Sequence, residues 1–259
     1  WNKMKNKILI LAGDPNSINS EIISKIWNKI DKPIKRKLYL IANYNLINKQ
    51  FKKIKSRTPL IKVKSLNENL QTNKLKLINI PLNFKEPFKV SLKDSKKYIV
   101  ESFNLAHKLS QKKDVKGFIN CPIDKRLLGN SKKIGVTEFL AAKCKISKNS
   151  EVMLIHNKSL SVVPLTTHIS LKSVAYRINA TLITKKIYTL QKQFKKLFKK
   201  KPKIGILGLN PHNGELSKNS EEIKIIIPTI SKLKKGGYNV EGPLSADTFF
   251  VNNYKKYDV

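Results

Sequence analysis

The sequence contains very little arginine for so basic a chain. Of the 53 basic residues behind its formal net charge of +36, 4 are arginine and the other 49 are lysine. Specific recognition of nucleic acid relies mainly on the planar guanidinium group, which can make two parallel hydrogen bonds to a phosphate or a base edge. The lysines are also spread along the whole chain. This composition predicts a solvated lysine surface and no nucleic-acid partner.

Cysteine and long apolar segments are scarce as well. The two cysteines, Cys121 and Cys144, are too few for a disulfide framework and lack the spacing of a metal site. The apolar run at residues 8–12 ends just before Asp14, and no segment approaches the roughly 18 apolar residues of a membrane span. These absences predict a cytoplasmic protein without a membrane partner.

Short apolar runs alternate with amphipathic helical patterns along the 259 residues. Such alternation predicts the α/β fold class, with a mainly parallel sheet covered by helices. Apolar runs predict strands at residues 7–12, 37–42, 75–82, 116–122, 151–157, 160–166 and 203–209. Helical periodicity is found at residues 20–30, 91–110, 170–201 and 220–237, the last with a break at Pro228.

Two of the four histidines directly follow predicted strands. His212 follows residues 203–209 in a turn of Asn, Pro and Gly, and His168 follows residues 160–166, just before a helix that Ser170 could cap. Ligands collect outside the carboxyl ends of parallel strands. Two neutral imidazoles meeting there would suit a divalent metal ion. The alternative is that each is a hydrogen-bonded turn residue.

Five segments resemble those of a known enzyme family. They are GLNPHNGE (208–215), LTTHISLKSV (165–174), NCPIDK (120–125), GVTEFLA (135–141) and EGPLSADTFF (241–250). Their order and approximate spacing resemble the NAD-dependent 4-hydroxythreonine-4-phosphate dehydrogenases over essentially the whole chain. The resemblance implies a two-lobed α/β/α architecture related to the isocitrate and isopropylmalate dehydrogenases. It also implies a homodimer with the metal and substrate in a cleft at the dimer interface. The first lobe would span residues 1–125, and the second, which carries the metal histidines and the dimer interface, residues 126–259.

The resemblance also implies roles for individual residues. His168 and His212 take the positions of two ligands of a divalent metal, which would be zinc, magnesium or cobalt. Asp247 and Lys125 are the expected catalytic residues, Asp247 close to the metal and Lys125 positioning the substrate or neutralising its phosphate. Thr137 is the expected substrate-binding residue. Without the resemblance, Asp247 would be interpreted as a helix cap, Lys125 as a solvated lysine and Thr137 as an N-cap.

The implied reaction is the oxidation and decarboxylation of 4-phosphohydroxy-L-threonine in pyridoxal 5'-phosphate (vitamin B6) biosynthesis, with NAD or NADP as hydride acceptor. The sequence has no Gly-x-Gly-x-x-Gly fingerprint. This absence agrees with the family, which binds NAD without that motif, but it leaves the cofactor-binding residues unassigned.

Three departures from the family pattern leave alternatives open. Val136 stands where the family usually has a substrate-binding histidine, and the first loop keeps Gly13, Asp14 and Pro15 but not the later glycines. The chain also stops before the family's C-terminal segment, which carries a third metal histidine and would complete the first lobe. We therefore expect little activity from this chain alone. The alternatives are a dehydrogenase of a related phosphorylated hydroxy acid, such as a four-carbon sugar-acid phosphate, and an inactive truncated remnant.

Overall fold

The computed structural model describes residues 6–68, 72–128, 135–144, 146, 150–167 and 169–259. They form two compact units that divide between Phe139 and Leu140. Each unit has its own hydrophobic core; the first contains one sheet and the second contains two pairs of strands. The assignment of a first lobe to residues 1–125, completed by a further segment, stays a prediction.

A parallel sheet is the centre of the first unit. Within the described residues it has five strands in the order β3-β4-β2-β1-β5. Their bounds are β1 Lys7–Leu11, β2 Leu38–Ala42, β3 Leu60–Val63, β4 Leu75–Asn79 and β5 Val115–Asn120. Every residue of β2 is buried, as expected for a parallel strand covered on both faces. The predicted α/β class with a mainly parallel sheet is confirmed.

Helices cover both faces of this sheet. Their bounds are α1 Asn19–Lys29, α2 Lys32–Lys35, α3 Tyr44–Lys53 and α4 Leu92–Ser110, with α5 Val136–Lys143 containing the division between the units. Trp27 of α1 and Phe51 of α3 pack with Leu40 on one face. Because side chains alternate along a strand, Tyr39 and Ile41 point to the other face, where α4 contacts β1, β2 and β5.

The second unit combines a parallel and an antiparallel pair of strands. The parallel pair is β8 Ile204–Leu207 with β9 Val240–Leu244, and the antiparallel pair is β6 Ile155–His156 with β7 Ser161–Val162. The helices are α6 Leu171–Arg177, α7 Ala180–Phe198, α8 Ile227–Lys235 and α9 Ala246–Asn252. Apolar side chains of α7 and α8 pack against β8 and β9 to form the core.

The predicted strands at residues 151–157 and 160–166 are wrong in extent and direction. Only two residues of each run are paired, and they form a hairpin. The cause is local, because Oδ1 of Asn157 accepts hydrogen bonds from the backbone N–H groups of Ser159 and Leu160, both at 2.8 Å. This tight turn reverses the chain where a parallel arrangement would need a long crossover.

The helical pattern at residues 220–237 is interrupted before Pro228, as predicted. A π-helical turn, Glu222–Ile226, leads directly into α8. Proline lacks an N–H, and its ring would clash with the carbonyl four residues earlier in a regular α-helix. The wider π turn therefore lies where a regular turn would be strained, and such turns often occur near functional sites.

No helix in the described part of the chain is long and apolar enough to cross a bilayer.

Candidate functional site

The carboxyl ends of β8 and β9 lie side by side because these strands are parallel neighbours. His212 follows β8 in the turn Pro211–Leu216, and Asp247 follows β9 in the first turn of α9. Their side chains meet, with 3.3 Å between Nδ1 of His212 and Oδ2 of Asp247. The pair occupies the sheet edge at which ligands of parallel sheets bind.

Asp247 is held in place by its immediate neighbours. Its Oδ1 accepts hydrogen bonds from Oγ of Ser245 at 2.5 Å and from the backbone N–H of Thr248 at 3.1 Å. The Ser245 hydroxyl lowers the pKa of the Asp247 carboxyl, and the nearby His212 adds to this effect. When the imidazole is neutral, the charged Oδ2 favours the tautomer that carries its proton on Nδ1. This tautomer leaves the lone pair of Nε2 for a ligand.

The backbone that carries His212 has an unusual conformation. All five residues from His212 to Leu216 have φ between +48° and +63°, and only Gly214 among them is a glycine. A left-handed helical conformation costs an L-residue roughly 1–2 kcal/mol, so tertiary contacts must hold this turn. Asn213 makes one such contact, because its Nδ2 donates to the backbone O of Pro243 in β9 at 3.2 Å.

A buried carboxylate lies behind the turn. Glu222 is fully buried, and its Oε1 accepts from the backbone N–H groups of Leu209 and Asn210 at 2.7 and 2.8 Å. Its Oε2 accepts from Nδ2 of Asn210 at 3.0 Å. Burial acts to raise the pKa of this carboxyl, but the hydrogen bonds, those from Asn210 foremost, outweigh burial and lower it. An ionised Glu222 thus ties the end of β8 to the turn.

Lys125 lies at the carboxyl edge of the sheet in the first unit. Its loop follows β5 and touches the loop that follows the neighbouring β1. Gly13 has φ +74°, and a Cβ there would come within 2.7 Å of the backbone O of Pro122, so the close approach of the two loops requires glycine. The Lys125 side chain is exposed, while the adjacent Arg126 is paired with Asp124 at 2.5 Å.

Thr137 is the second residue of α5 and is exposed. Since the helix begins at Val136, the interpretation of Thr137 as an N-cap is wrong. The carboxylate of Glu138 closes the first turn instead, by accepting from the backbone N–H of Gly135 at 3.0 Å. Thr137 thus belongs to the first turn of the helix, where backbone N–H groups have no partner within the helix.

Comparison with known proteins identifies the family. Residues 34–259 match the family model of the pyridoxal phosphate biosynthetic protein PdxA. The chain belongs to this family. A relative from Sulfurihydrogenibium sp. (strain YO3AOP1), named 4-hydroxythreonine-4-phosphate dehydrogenase, is 35% identical over 98% of this chain and 78% of its own length. Another from Oceanobacillus iheyensis, provisionally named D-threonate 4-phosphate dehydrogenase, is 35% identical over 58% of this chain and 46% of its own.

The fold of this PdxA chain matches a solved structure closely. The crystal structure of 4-hydroxythreonine-4-phosphate dehydrogenase from Klebsiella pneumoniae covers 98% of this chain and 79% of its own, with a TM-score of 0.86 and 24% identity. The resemblance that the sequence motifs indicated is thus confirmed at the level of family and fold.

The structure brings two of the predicted site residues of the PdxA chain together, His212 and Asp247. His168 lies outside the described residues, so the metal site shared by the two histidines stays a prediction. Among the residues that the structure does describe, no group of three or more His, Cys, Asp or Glu side chains is arranged to hold a metal ion. Lys125 and Thr137 belong to the first unit, and their relation to His212 also stays a prediction.

Ser170 occupies the N-cap position of α6, as predicted, but its side chain does not form the capping hydrogen bond to the helix backbone. Its Oγ lies 2.8 Å from Oγ of Ser173 instead.

Sequence reasoning missed Glu222 and Asn210. A signal for Glu222 was present, since it lies four residues before Ile226 and eight before Ile230, both buried. This spacing puts a glutamate on the apolar face of the helical pattern, and a carboxylate there is rarely buried unless it is partnered. Asn210 carried no comparable signal, because turn chemistry already explains an Asn-Pro pair.

Proposed function

We propose that this PdxA-family protein oxidises 4-phosphohydroxy-L-threonine, with loss of CO₂, in the biosynthesis of pyridoxal 5'-phosphate. The observation that carries the proposal is the His212–Asp247 pair at the carboxyl edge of β8 and β9, in a chain that belongs to this family. Oxidation of a secondary alcohol requires the hydroxyl to lose its proton as its carbon loses a hydride. NAD, or alternatively NADP, accepts that hydride, and an imidazole oriented by a carboxylate is suited to bind the alcohol oxygen or a metal that holds it.

His212 fits the role of a metal ligand. Its imidazole is 71% exposed, and its Nδ1 faces a carboxylate, as is usual for histidines that bind metal through Nε2. We assign His168 as the second ligand of a zinc, magnesium or cobalt ion. When bound, such an ion would lower the pKa of the substrate hydroxyl. Asp247 fixes the ring of His212 in the orientation that binding requires.

The phosphate of the substrate is assigned to the first unit. Thr137 offers a hydroxyl beside the first-turn amides of α5, where the partial positive charge of a helix N-terminus favours an anion. Lys125 offers an exposed ammonium group at the carboxyl edge of β5. In this assignment Thr137 binds the phosphate, and Lys125 neutralises it and orients the reacting carbon.

We also propose that the protein is a cytoplasmic homodimer. Neither Cys121 nor Cys144 is part of a disulfide bond, which suits a reducing compartment. The helix α6 has no buried residue, and the side chains of Leu171 and Tyr176 are 92% and 85% exposed. Large apolar side chains exposed together on one helix favour a protein partner, and a second copy of the chain is the partner that the family resemblance implies.

Substitution of the exposed leucine tests the dimer. We expect Leu171→Glu to shift the protein toward the monomer, because a charge would have to be buried at the interface. Light scattering coupled to size-exclusion chromatography measures the mass. The control is Leu197→Glu, on the exposed lysine-rich end of α7, which should leave the mass unchanged. An equal mass for Leu171→Glu and the unmodified protein would contradict this interface.

A related substrate is the second candidate. Val136 stands where the family usually has a histidine that contacts substrate, and one relative is provisionally named D-threonate 4-phosphate dehydrogenase. A valine cannot donate or accept the hydrogen bond that the histidine makes. The site could therefore favour a phosphorylated hydroxy acid that lacks the amino group.

A direct comparison of substrates tests both candidates. NADH formation by the chain carrying the family's C-terminal segment is followed by absorbance with 4-phosphohydroxy-L-threonine and with D-threonate 4-phosphate, each with and without a chelator. The same extended chain is used for the other activity measurements. We expect faster turnover of the first substrate, loss of activity with chelator, and recovery with zinc, magnesium or cobalt. Faster turnover of D-threonate 4-phosphate would favour the second candidate, and turnover that resists the chelator would reject the metal.

A further inference from the structure

The Glu222 carboxylate contacts the two residues that directly precede the turn Pro211–Leu216. Three hydrogen bonds reach it from only two consecutive residues, Leu209 and Asn210, at 2.7 to 3.0 Å. Asn210 lies two residues before His212. A change in the position of this carboxylate would therefore be transmitted directly to the backbone that carries the imidazole.

The turn packs closely around the same carboxylate. A Cβ on Gly208 would lie 3.3 Å from Oε1 of Glu222, and a Cβ on Gly214 would lie 3.1 Å from its Oε2. Glycines thus allow the backbone to approach Glu222 both before and within the turn. Four of the five residues with positive φ carry a Cβ and would leave that conformation without such support.

We infer that Glu222 is a positioning residue for the reaction. Its carboxylate holds Asn210 and the left-handed turn so that His212 faces Asp247 and presents Nε2 to its ligand. The inference rests on the proposed function for its effect on turnover, but its geometric part is independent of the substrate. A carboxylate suits this position because both of its oxygens accept hydrogen bonds, whereas an amide would turn a donor toward one of the N–H groups.

The test compares two neighbouring glutamates. Glu222→Gln keeps the shape of the side chain but loses one acceptor. The control is Glu221→Gln, which removes the same charge from a partly exposed residue. Oε2 of Glu221 accepts from Nδ2 of Asn210 at 2.9 Å, but Glu221 lacks the two backbone contacts that Glu222 makes through Oε1. The readouts are kcat and KM, the NMR signals of the His212 imidazole and the Asn210 backbone amide, and the melting temperature.

We expect Glu222→Gln to lower kcat about 10–100-fold with little change in KM, and to shift both NMR signals, at a temperature where the protein is fully folded. Glu221→Gln should retain kcat and both signals. Equal kcat values in the two variants and an unmoved His212 signal in Glu222→Gln would overturn the inference, because Glu222 would then only stabilise the fold.

Two further outcomes remain decisive. If the unmodified protein does not turn over the proposed substrate, the proposed function fails, and the NMR signals alone decide the inference: a shift of the His212 signal supports it and no shift overturns it. If Glu222→Gln does not fold, Asn210→Ala replaces it. That variant removes the side-chain contacts to Oε2 of Glu222 and to Oε2 of Glu221 but keeps both backbone contacts to Oε1 of Glu222. A shift of the His212 signal supports the inference, and an unchanged signal overturns it.

Discussion

His212 combines high exposure with a fixed orientation. Its side chain is 71% exposed, so it contributes little to packing, yet Asp247 holds one of its ring nitrogens. A residue of this kind can be replaced without loss of the fold, which makes it a suitable position for a functional test.

The first prediction at this scale is that His212→Asn lowers kcat/KM by about 100-fold or more, because the imidazole lone pair is lost from the reacting site. The melting temperature should stay close to that of the unmodified protein. The control is His156→Asn, an exposed histidine of the same unit whose Nδ1 lies 2.8 Å from Oγ of Ser161. Similar kinetics in the two variants would refute the role of His212.

Lys76 is an exception to the solvated lysine surface. It is fully buried in β4, donates from Nζ to the backbone O of Arg36, and lies 4.1 Å from the centroid of the Tyr39 ring. Burial, with a smaller contribution from Lys7, lowers the pKa of Lys76 to about 8. An unfolded lysine has a pKa of about 10.4, so between these values the unfolded chain binds a proton that the folded chain lacks. The contribution of Lys76 to stability therefore rises with pH in this window.

Two lysine-to-methionine variants, Lys76→Met and the control Lys62→Met, test this pH dependence. Between pH 7 and pH 10.5, the free energy of unfolding of the unmodified protein should rise by about 2–3 kcal/mol relative to that of Lys76→Met. Urea denaturation at several pH values measures the difference. Lys62→Met, at an exposed position of β3, should show no such divergence. Parallel pH profiles for the unmodified protein and Lys76→Met would contradict the lowered pKa.

At the scale of elements, the turn between β8 and the π-helical turn is a strained connection between two regular segments. Gly214 and Gly237 both have positive φ, +63° and +78°, but their surroundings differ. A Cβ on Gly214 would lie 2.9 Å from Cβ of Ser220, whereas a Cβ on Gly237, after α8, would have no heavy atom within 4 Å. Substitution of each glycine by alanine therefore separates the effect of backbone strain on stability from the effect of packing.

We expect Gly237→Ala to lower the free energy of unfolding by about 1 kcal/mol through strain alone, and Gly214→Ala by about 2–4 kcal/mol through strain and overpacking. Urea denaturation of both variants at neutral pH gives the comparison. Equal losses would show that the packing of the turn against the residues around Glu222 adds nothing to its stability.

At the scale of the whole molecule, the net charge of +36 is carried almost entirely by lysine. A dispersed positive surface attracts any polyanion, but it lacks the guanidinium groups that read bases. Nonspecific attraction and specific recognition differ most in their response to salt and sequence.

We expect duplex DNA to bind weakly, without sequence preference, and to be released as salt rises from about 50 to 200 mM. Fluorescence anisotropy with two unrelated duplexes measures both properties. A complex that prefers one duplex and persists at the higher salt concentration would contradict the prediction that the protein has no nucleic-acid partner.

Local periodicity was sufficient to predict most of the first unit. The strands β1 and β2 and the helices α1 and α4 follow directly from apolar runs and helical spacing. The strand β9 was missed, because Gly242 and Pro243 within it are turn signals at the level of sequence. The hairpin at residues 155–162 was mistaken for two longer strands, because apolar runs reveal burial but not direction.

The candidate site, like the fold, could be predicted from the sequence only in part. The position of His212 after its strand could be predicted from the strand pattern, whereas Asp247 could be predicted only from the resemblance of its motif to the family, because the strand before it was missed. The apolar spacing around Glu222 signalled a buried carboxylate, but its hydrogen-bond partners could not be predicted, because they lie 12 and 13 positions away and meet it only after the chain has folded. The left-handed turn is likewise held by tertiary contacts against the preference of its residues, and no local propensity predicts such a conformation.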